Sequence, residues 1–284
     1  MSETLLRHEP VLRLAAFLGV LGAMALWERA LPRRRLRCGR RRRWPVNLGL
    51  SACGTLLVRL LFPAAAVGTA ALAAEQGWGL LRQLGWPRPL VFAVSVLALD
   101  LAVYLQHVVL HAIPALWRLH LVHHADLDFD TTTGLRFHPV EILISMFWKV
   151  GVVLVLGAPP GAVLAFEVLL NATSMFNHGN ARLPLPLDRV LRWIIVTPDM
   201  HRVHHSVHRR ETNSNFGFNL SCWDRLLGTY RAQPADGHEG MTIGLEQLQQ
   251  APPPGLWALL ALPLRTTPGR YPIAGAATHS TRSR

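Results

Sequence analysis

Cysteine is scarce in this 284-residue chain: Cys38, Cys53 and Cys222 are odd in number and show no CxxC spacing. That excludes a disulfide framework and a thiolate zinc site, and it fits a reduced, cytoplasm-facing protein. Lysine is scarcer still, with Lys149 alone, so the formal net charge of +12 is carried almost wholly by arginine. Eight arginines fall between Arg33 and Arg43. Such a run suggests nucleic-acid binding, but this one lies between two apolar segments and reads as a positive-inside topology signal. No nucleic-acid partner is expected. A cleaved signal peptide is not expected either, because Glu3 and Glu9 fall in the first ten residues and the first apolar run leads into the arginines without a small-residue cleavage site.

Half of the residues are hydrophobic, and they are gathered into long runs. The runs predict an all-α, integral-membrane helical bundle of about four to five spans or half-spans. Val11 to Leu31 is long enough to cross a hydrocarbon core of about 30 Å, and Leu48 to Ala74 is a second span kinked at Pro63. A Trp- and Pro-rich connector from Gln76 to Pro89 turns the chain back at a membrane interface. Leu90 to Leu110 is the third span. Ile142 to Leu156 and Ala162 to Phe176, split by Ala158-Pro-Pro-Gly161, form a short hairpin. From Asn177 onward long apolar runs nearly stop, which predicts a cytoplasmic helical cap. Leu256 to Leu264 is expected along the membrane surface, and Thr266 to Arg284 as an unstructured tail. The domain reading is 1–89 for the first spans and arginine loop, 90–230 for the site-bearing domain, and 231–284 for a surface segment and tail.

Histidine is abundant. Five of the fourteen fall between Asp100 and Asp126, and the HLVHH box at His120 to His124 recurs as HRVHH at His201 to His205. His107 and His111 are spaced i, i+4. His120, His123 and His124 are spaced i, i+3 and i+4, as are His201, His204 and His205, so each box is expected to aim its imidazoles at one point on a helix face. Neutral imidazole is the commonest metal ligand. Eight are too many for one four-coordinate zinc, which implies two metals. His178 is read as a further ligand, and His138 as either a ligand or a hydrogen-bond partner of one. His8, His238 and His279 are expected in solvent, and His208 outside the ligand set. Asp100, Asp126, Asp128, Glu141 and Asp199 are available as acceptors for the outer ring N–H groups. The Glu with Glu-x-x-His pattern of carboxylate-rich di-iron bundles is absent, so an all-nitrogen ligand set is implied.

HVVLH, HLVHH and HRVHH, with RFHPVE and NHGN between them and NSNFG and WDRLLGTY after them, resemble the fatty acid hydroxylase superfamily of integral-membrane non-haem di-iron enzymes over about Leu90 to Tyr230. The branch of sterol desaturases, methylsterol oxidases and alkylglycerol monooxygenase is the most similar. The resemblance implies two non-haem iron ions held by His107, His111, His120, His123, His124, His201, His204 and His205, with His178 a ninth ligand. It also implies O2 as co-substrate and a lipid C–H bond that is hydroxylated or desaturated at the cytoplasmic side of the membrane. The chain departs from some members at Arg182, where they have a second histidine. A HisProGlyGly haem motif is absent, so electrons are expected from a separate electron-transfer protein. The competing readings are a zinc-dependent membrane hydrolase, and a metal-transporting or haem-binding membrane protein.

Overall fold

The computed structural model describes residues 8–250 and 252–274. Among them every regular element is helical, with three isolated bridges and no strand. Four stretches are long and apolar enough to cross a membrane: Glu9–Ala30, Arg40–Gln83, Arg88–Ala112 and Pro139–Leu156. We label the helices that position the site α1 (Glu9–Ala30), α2 (Arg40–Leu61), α3 (Ala65–Glu75), α4 (Arg88–Ala112), α5 (Pro114–His124), α6 (Pro139–Leu156), α7 (Pro160–Asn177), α8 (Leu185–Leu191), α9 (Pro198–His204) and α10 (Leu256–Arg265).

The second expected span is two helices. Pro63 has no amide hydrogen to continue the ladder, so the chain breaks over residues 62–64 and restarts as α3. Helices α2, α3, α4, α6 and α7 pack together, with α1 laid along α7. Their common core includes Val58, Val67, Leu99, Met146, Val163 and Phe166. The hairpin between α6 and α7 turns at Gly157, whose φ of +67° and nearby Trp78 carbonyl leave no room for a side chain.

Three expectations change. The arginine run is not a free loop: Arg40 to Arg43 open α2, and Arg43 is buried with Asp126 at 2.6 Å and Asp130 at 2.5 Å. Arg33 pairs with Asp199 at 3.1 Å, and Arg34 donates to the carbonyl of Met241 at 2.9 Å. These acidic partners lie far along the sequence, so a local reading sees only the charge. Helix α10 does more than lie on a surface, because Leu259 and Leu262 are buried against α5 and α2 while Trp257 and Leu264 stay exposed. The expected tail is ordered at its start. Tyr271 is buried, stacks on Trp117 at 5.7 Å, and donates its hydroxyl to the Val207 carbonyl at 3.0 Å. The remainder of that tail from residue 275, His279 included, lies outside the described residues.

Candidate metal centre

A proline sets the first turn of the site. Pro114 ends the hydrogen-bond ladder of α4 and occupies the first position of α5. The chain reverses there, so His120, His123 and His124 come back over His107 and His111. The third box is carried by α9, which begins at Pro198 with Thr197 as its cap, the Thr197 hydroxyl accepting the Met200 N–H at 3.3 Å.

Nine histidines converge, all buried, in two groups. His107, His111, His120, His124 and His204 form the first, and His123, His178, His201 and His205 the second, with the ligand atoms in each group within 4.8 Å of one another. Each HxxHH box is therefore divided between two points rather than aimed at one. At 100° per residue, positions i and i+4 diverge by only about 40°, whereas adjacent positions diverge by about 100°. His120 and His124 accordingly go to one group and His123 to the other. In the third box the split is mirrored: His201 and His205 stay together and His204 crosses over.

The outer ring nitrogens explain the orientations. His107 Nδ1 donates to the Phe216 carbonyl at 2.8 Å, His111 Nδ1 to Asn213 Oδ1 at 3.0 Å, and His204 Nδ1 to the Ser214 carbonyl at 2.8 Å. His120 Nδ1 faces Glu141 Oε1 at 2.7 Å. In the second group, His123 Nδ1 donates to the Arg136 carbonyl at 3.2 Å and His178 Nδ1 to the Ser174 carbonyl at 2.8 Å. With Nδ1 carrying the proton, Nε2 is left as a lone-pair donor turned inward.

The inward atoms fit metal ions. His107 Nε2 lies 3.1 Å from His120 Nε2, and His178 Nε2 lies 3.2 Å from the Nε2 atoms of His123, His201 and His205. Neighbouring nitrogens about 2.1 Å from a shared cation are spaced about 3.0–3.4 Å apart. His111, His124 and His204 have buried Nε2 atoms without any hydrogen-bond partner, which is costly unless a cation takes the lone pair. Burial and the neighbouring imidazoles push His123, His124, His201, His204 and His205 well below the ordinary histidine pKa. Burial takes His178 down to about 3. All six are held neutral, the form that binds metal.

The other sequence candidates are placed as follows. His138 stands outside both groups: it caps α6, with Nδ1 accepting the Val140 N–H at 3.2 Å and Nε2 facing the Leu260 carbonyl at 3.2 Å. His208 faces Asp236 at the surface. His238, expected in solvent, is buried 3.7 Å from Asp199. Arg182 is exposed, and His178 completes its group without a residue there. Of the five acidic candidates only Glu141 hydrogen-bonds one of the nine converging histidines. Asp100 accepts from Trp223 Nε1 at 2.8 Å, Asp128 from the backbone N–H groups of Arg37 and Cys38, and Asp199 from Arg33 and Arg202. Burial disfavours the Asp126 carboxylate, but Arg43 and Arg136 outweigh burial and hold it below the usual range.

Asn213, Ser214, Phe216, Arg136 and Ser174 position the converging histidines and were not among the candidates, since four of them act through a backbone carbonyl that any residue has. The NSNFG segment carries three of them. NHGN is also explained, because Asn180 N–H and Thr131 N–H both donate to the buried Glu28 carboxylate, at 2.8 and 2.7 Å. A cavity of about 260 Å³ opens from His107 and His120 down between α2, α4, α6 and α7.

Several proteins of known activity are similar. An ornithine lipid hydroxylase from Rhizobium tropici is 30% identical over 150 residues, covering 52% of this chain and 44% of that protein. Alkylglycerol monooxygenase from Homo sapiens is 30% identical over 164 residues, covering 57% and 35%. Cholesterol 25-hydroxylase from Rattus norvegicus is 27% identical over 144 residues, covering 50% and 47%. The match thus spans less than half the length of each relative. No solved structure gives a significant match. The matching region contains every one of the nine converging histidines: residues 92–229 match the fatty acid hydroxylase family.

Proposed function

We propose that the chain is a membrane-bound non-haem di-iron monooxygenase that hydroxylates a C–H bond of a lipid, using O2 and electrons from a separate donor protein. One observation carries the reading: nine buried imidazoles gathered in two adjoining groups at the mouth of a cavity walled by membrane helices. Two iron ions held by these groups would supply the one-electron O2 chemistry that no side chain performs. The hydroxylase and monooxygenase activities of the relatives favour this over a zinc hydrolase, a transporter or a haem protein.

The chain's own residues do the positioning. His107 and His120 face the cavity, so the carbon to be oxidised is presented to the five-histidine group. Leu110, Leu135, Met146 and Phe218 line the same space and hold hydrocarbon there while excluding water. Glu141 fixes the ring of His120. The relatives' names give an ornithine lipid, alkylglycerols and cholesterol as their substrates, which favours a membrane lipid as the substrate here. Orientation follows from the arginines: Arg33 and Arg43 pair with acids at the histidine-bearing end, and an arginine-rich end faces the cytoplasm.

The test is membrane lipid analysis of cells expressing the wild-type chain or His204→Ala under ¹⁸O2. One ¹⁸O per product molecule, dependent on His204, is expected. A lipid product lacking ¹⁸O, or no product difference between the two strains, contradicts the reading.

A further inference from the structure

Helix α6 is apolar except along one stripe: Glu141, Ser145 and Lys149 follow at i, i+4 and i+8 and all line the cavity. The stripe starts at the metal centre, where Glu141 holds His120. Its middle member, Ser145, bonds Gln106. At about 1.5 Å per residue, Lys149 lies about 12 Å further along. There its Nζ is 2.5 Å from Glu167 Oε1, while Arg13 holds Glu167 Oε2 at 2.5 Å.

An ammonium among membrane helices is expensive and is retained where it has a task. Arg13 and Glu167 fasten α1 to α7 without Lys149, whose own pairing with Glu167 joins α6 to α7 and leaves the ammonium on the cavity wall. The chain's only lysine adds a second cation to the same carboxylate and turns into the cavity. Glu167 occupies one of its three N–H donors. Because Glu9 pairs with Arg13 at 2.5 Å, the four-residue cluster carries two charges of each sign and has no surplus to attract an anion. A neutral acceptor fits it.

We infer that Lys149 anchors a hydrogen-bond-accepting oxygen of the lipid, a hydroxyl, ether or ester, at the far end of the stripe, about 12 Å along α6 from Glu141. A pure hydrocarbon would leave the polar stripe unmatched. The inference rests on the reading of the cavity as the lipid site.

The test compares thermal unfolding of the purified full-length protein in detergent with two probes of equal chain length, hexadecanol and hexadecane. Hexadecanol is expected to raise the melting temperature of the wild type more than hexadecane does. Lys149→Met is expected to lose that preference and Lys149→Arg to keep it, with metal content equal in all three. A wild type that responds equally to both probes overturns the inference, as does a Lys149→Met variant that keeps the preference. Should Lys149→Met not fold, Lys149→Gln is read in the same way, a weakened preference supporting the anchor and an unchanged one contradicting it. The readout needs no turnover. Preference lost in the variant without any lipid oxidation by the wild type would sink the oxygenase reading and leave the anchor supported.

Discussion

The two histidine groups are built from the same boxes but held differently. In the five-histidine group, four outer nitrogens are fixed: His107 and His204 by carbonyls, His111 by an amide, and His120 by the carboxylate of Glu141. In the four-histidine group only His123 and His178 are fixed, both by backbone carbonyls, and the Nδ1 atoms of His201 and His205 are buried without partners. The first group also faces the cavity. The difference teaches that one site has a ligand to spare and an adjustable, charged support, whereas the other has neither. On the proposed function, the five-histidine group receives the substrate and the four-histidine group is its more fragile companion.

The largest expected effect separates the two by metal count. His123→Ala or His205→Ala leaves three ligands and is expected to drop one of two metals, with activity falling more than about 100-fold, beyond the range for losing an outer partner. His111→Ala leaves four imidazoles and is expected to keep both. Metal analysis of the purified variants checks this, and equal loss in both groups would erase the distinction. Glu141→Gln comes next. It keeps the hydrogen bond but removes the charge, and a loss of about 10–100-fold in turnover with metal retained is expected. Asn213→Ala, which removes a neutral acceptor from His111, is expected near the low end of that range, about 10-fold. If Asn213→Ala proves worse than Glu141→Gln in the same assay, charge at the cavity-side ligand is not what matters.

Much of this was legible in the sequence, for a physical reason. Helical spacing alone brings His107 with His111 and His120 with His124, and long apolar runs announce α1, α4 and α6. The isolated His178, read as a further ligand from its place where a loop meets an apolar run, does join the four-histidine group. The partition of each box was not legible, because the approximation that i, i+3 and i+4 share a face hides a spread of about 100° that divides the histidines between two groups. Nor were the positions of Arg43, His238 and Tyr271 legible, since each is buried by partners far away in sequence. His138 was ambiguous because a ring nitrogen can cap a helix as readily as it ligates.

The last expected effect is in pH, and it is read in stability rather than in turnover. His178 is lowered to about 3 by burial, so below the ordinary imidazole value of about 6.5 the unfolded chain takes up a proton that the folded chain refuses. The stability of the metal-free protein is therefore full above about pH 6.5 and falls by up to about 1.4 kcal/mol per pH unit for this histidine as pH drops toward 3. Denaturant melts of metal-stripped protein between pH 7 and pH 5, run on the wild type and on His178→Gln, check the sign. A wild type whose stability rises on acidification would contradict it.

The central claim, two irons in two all-histidine groups, is tested most directly by Mössbauer spectroscopy of protein purified after growth on ⁵⁷Fe. Two irons per chain, antiferromagnetically coupled when oxidised, are predicted. A single uncoupled iron, a zinc-filled centre or a haem signal would contradict the account.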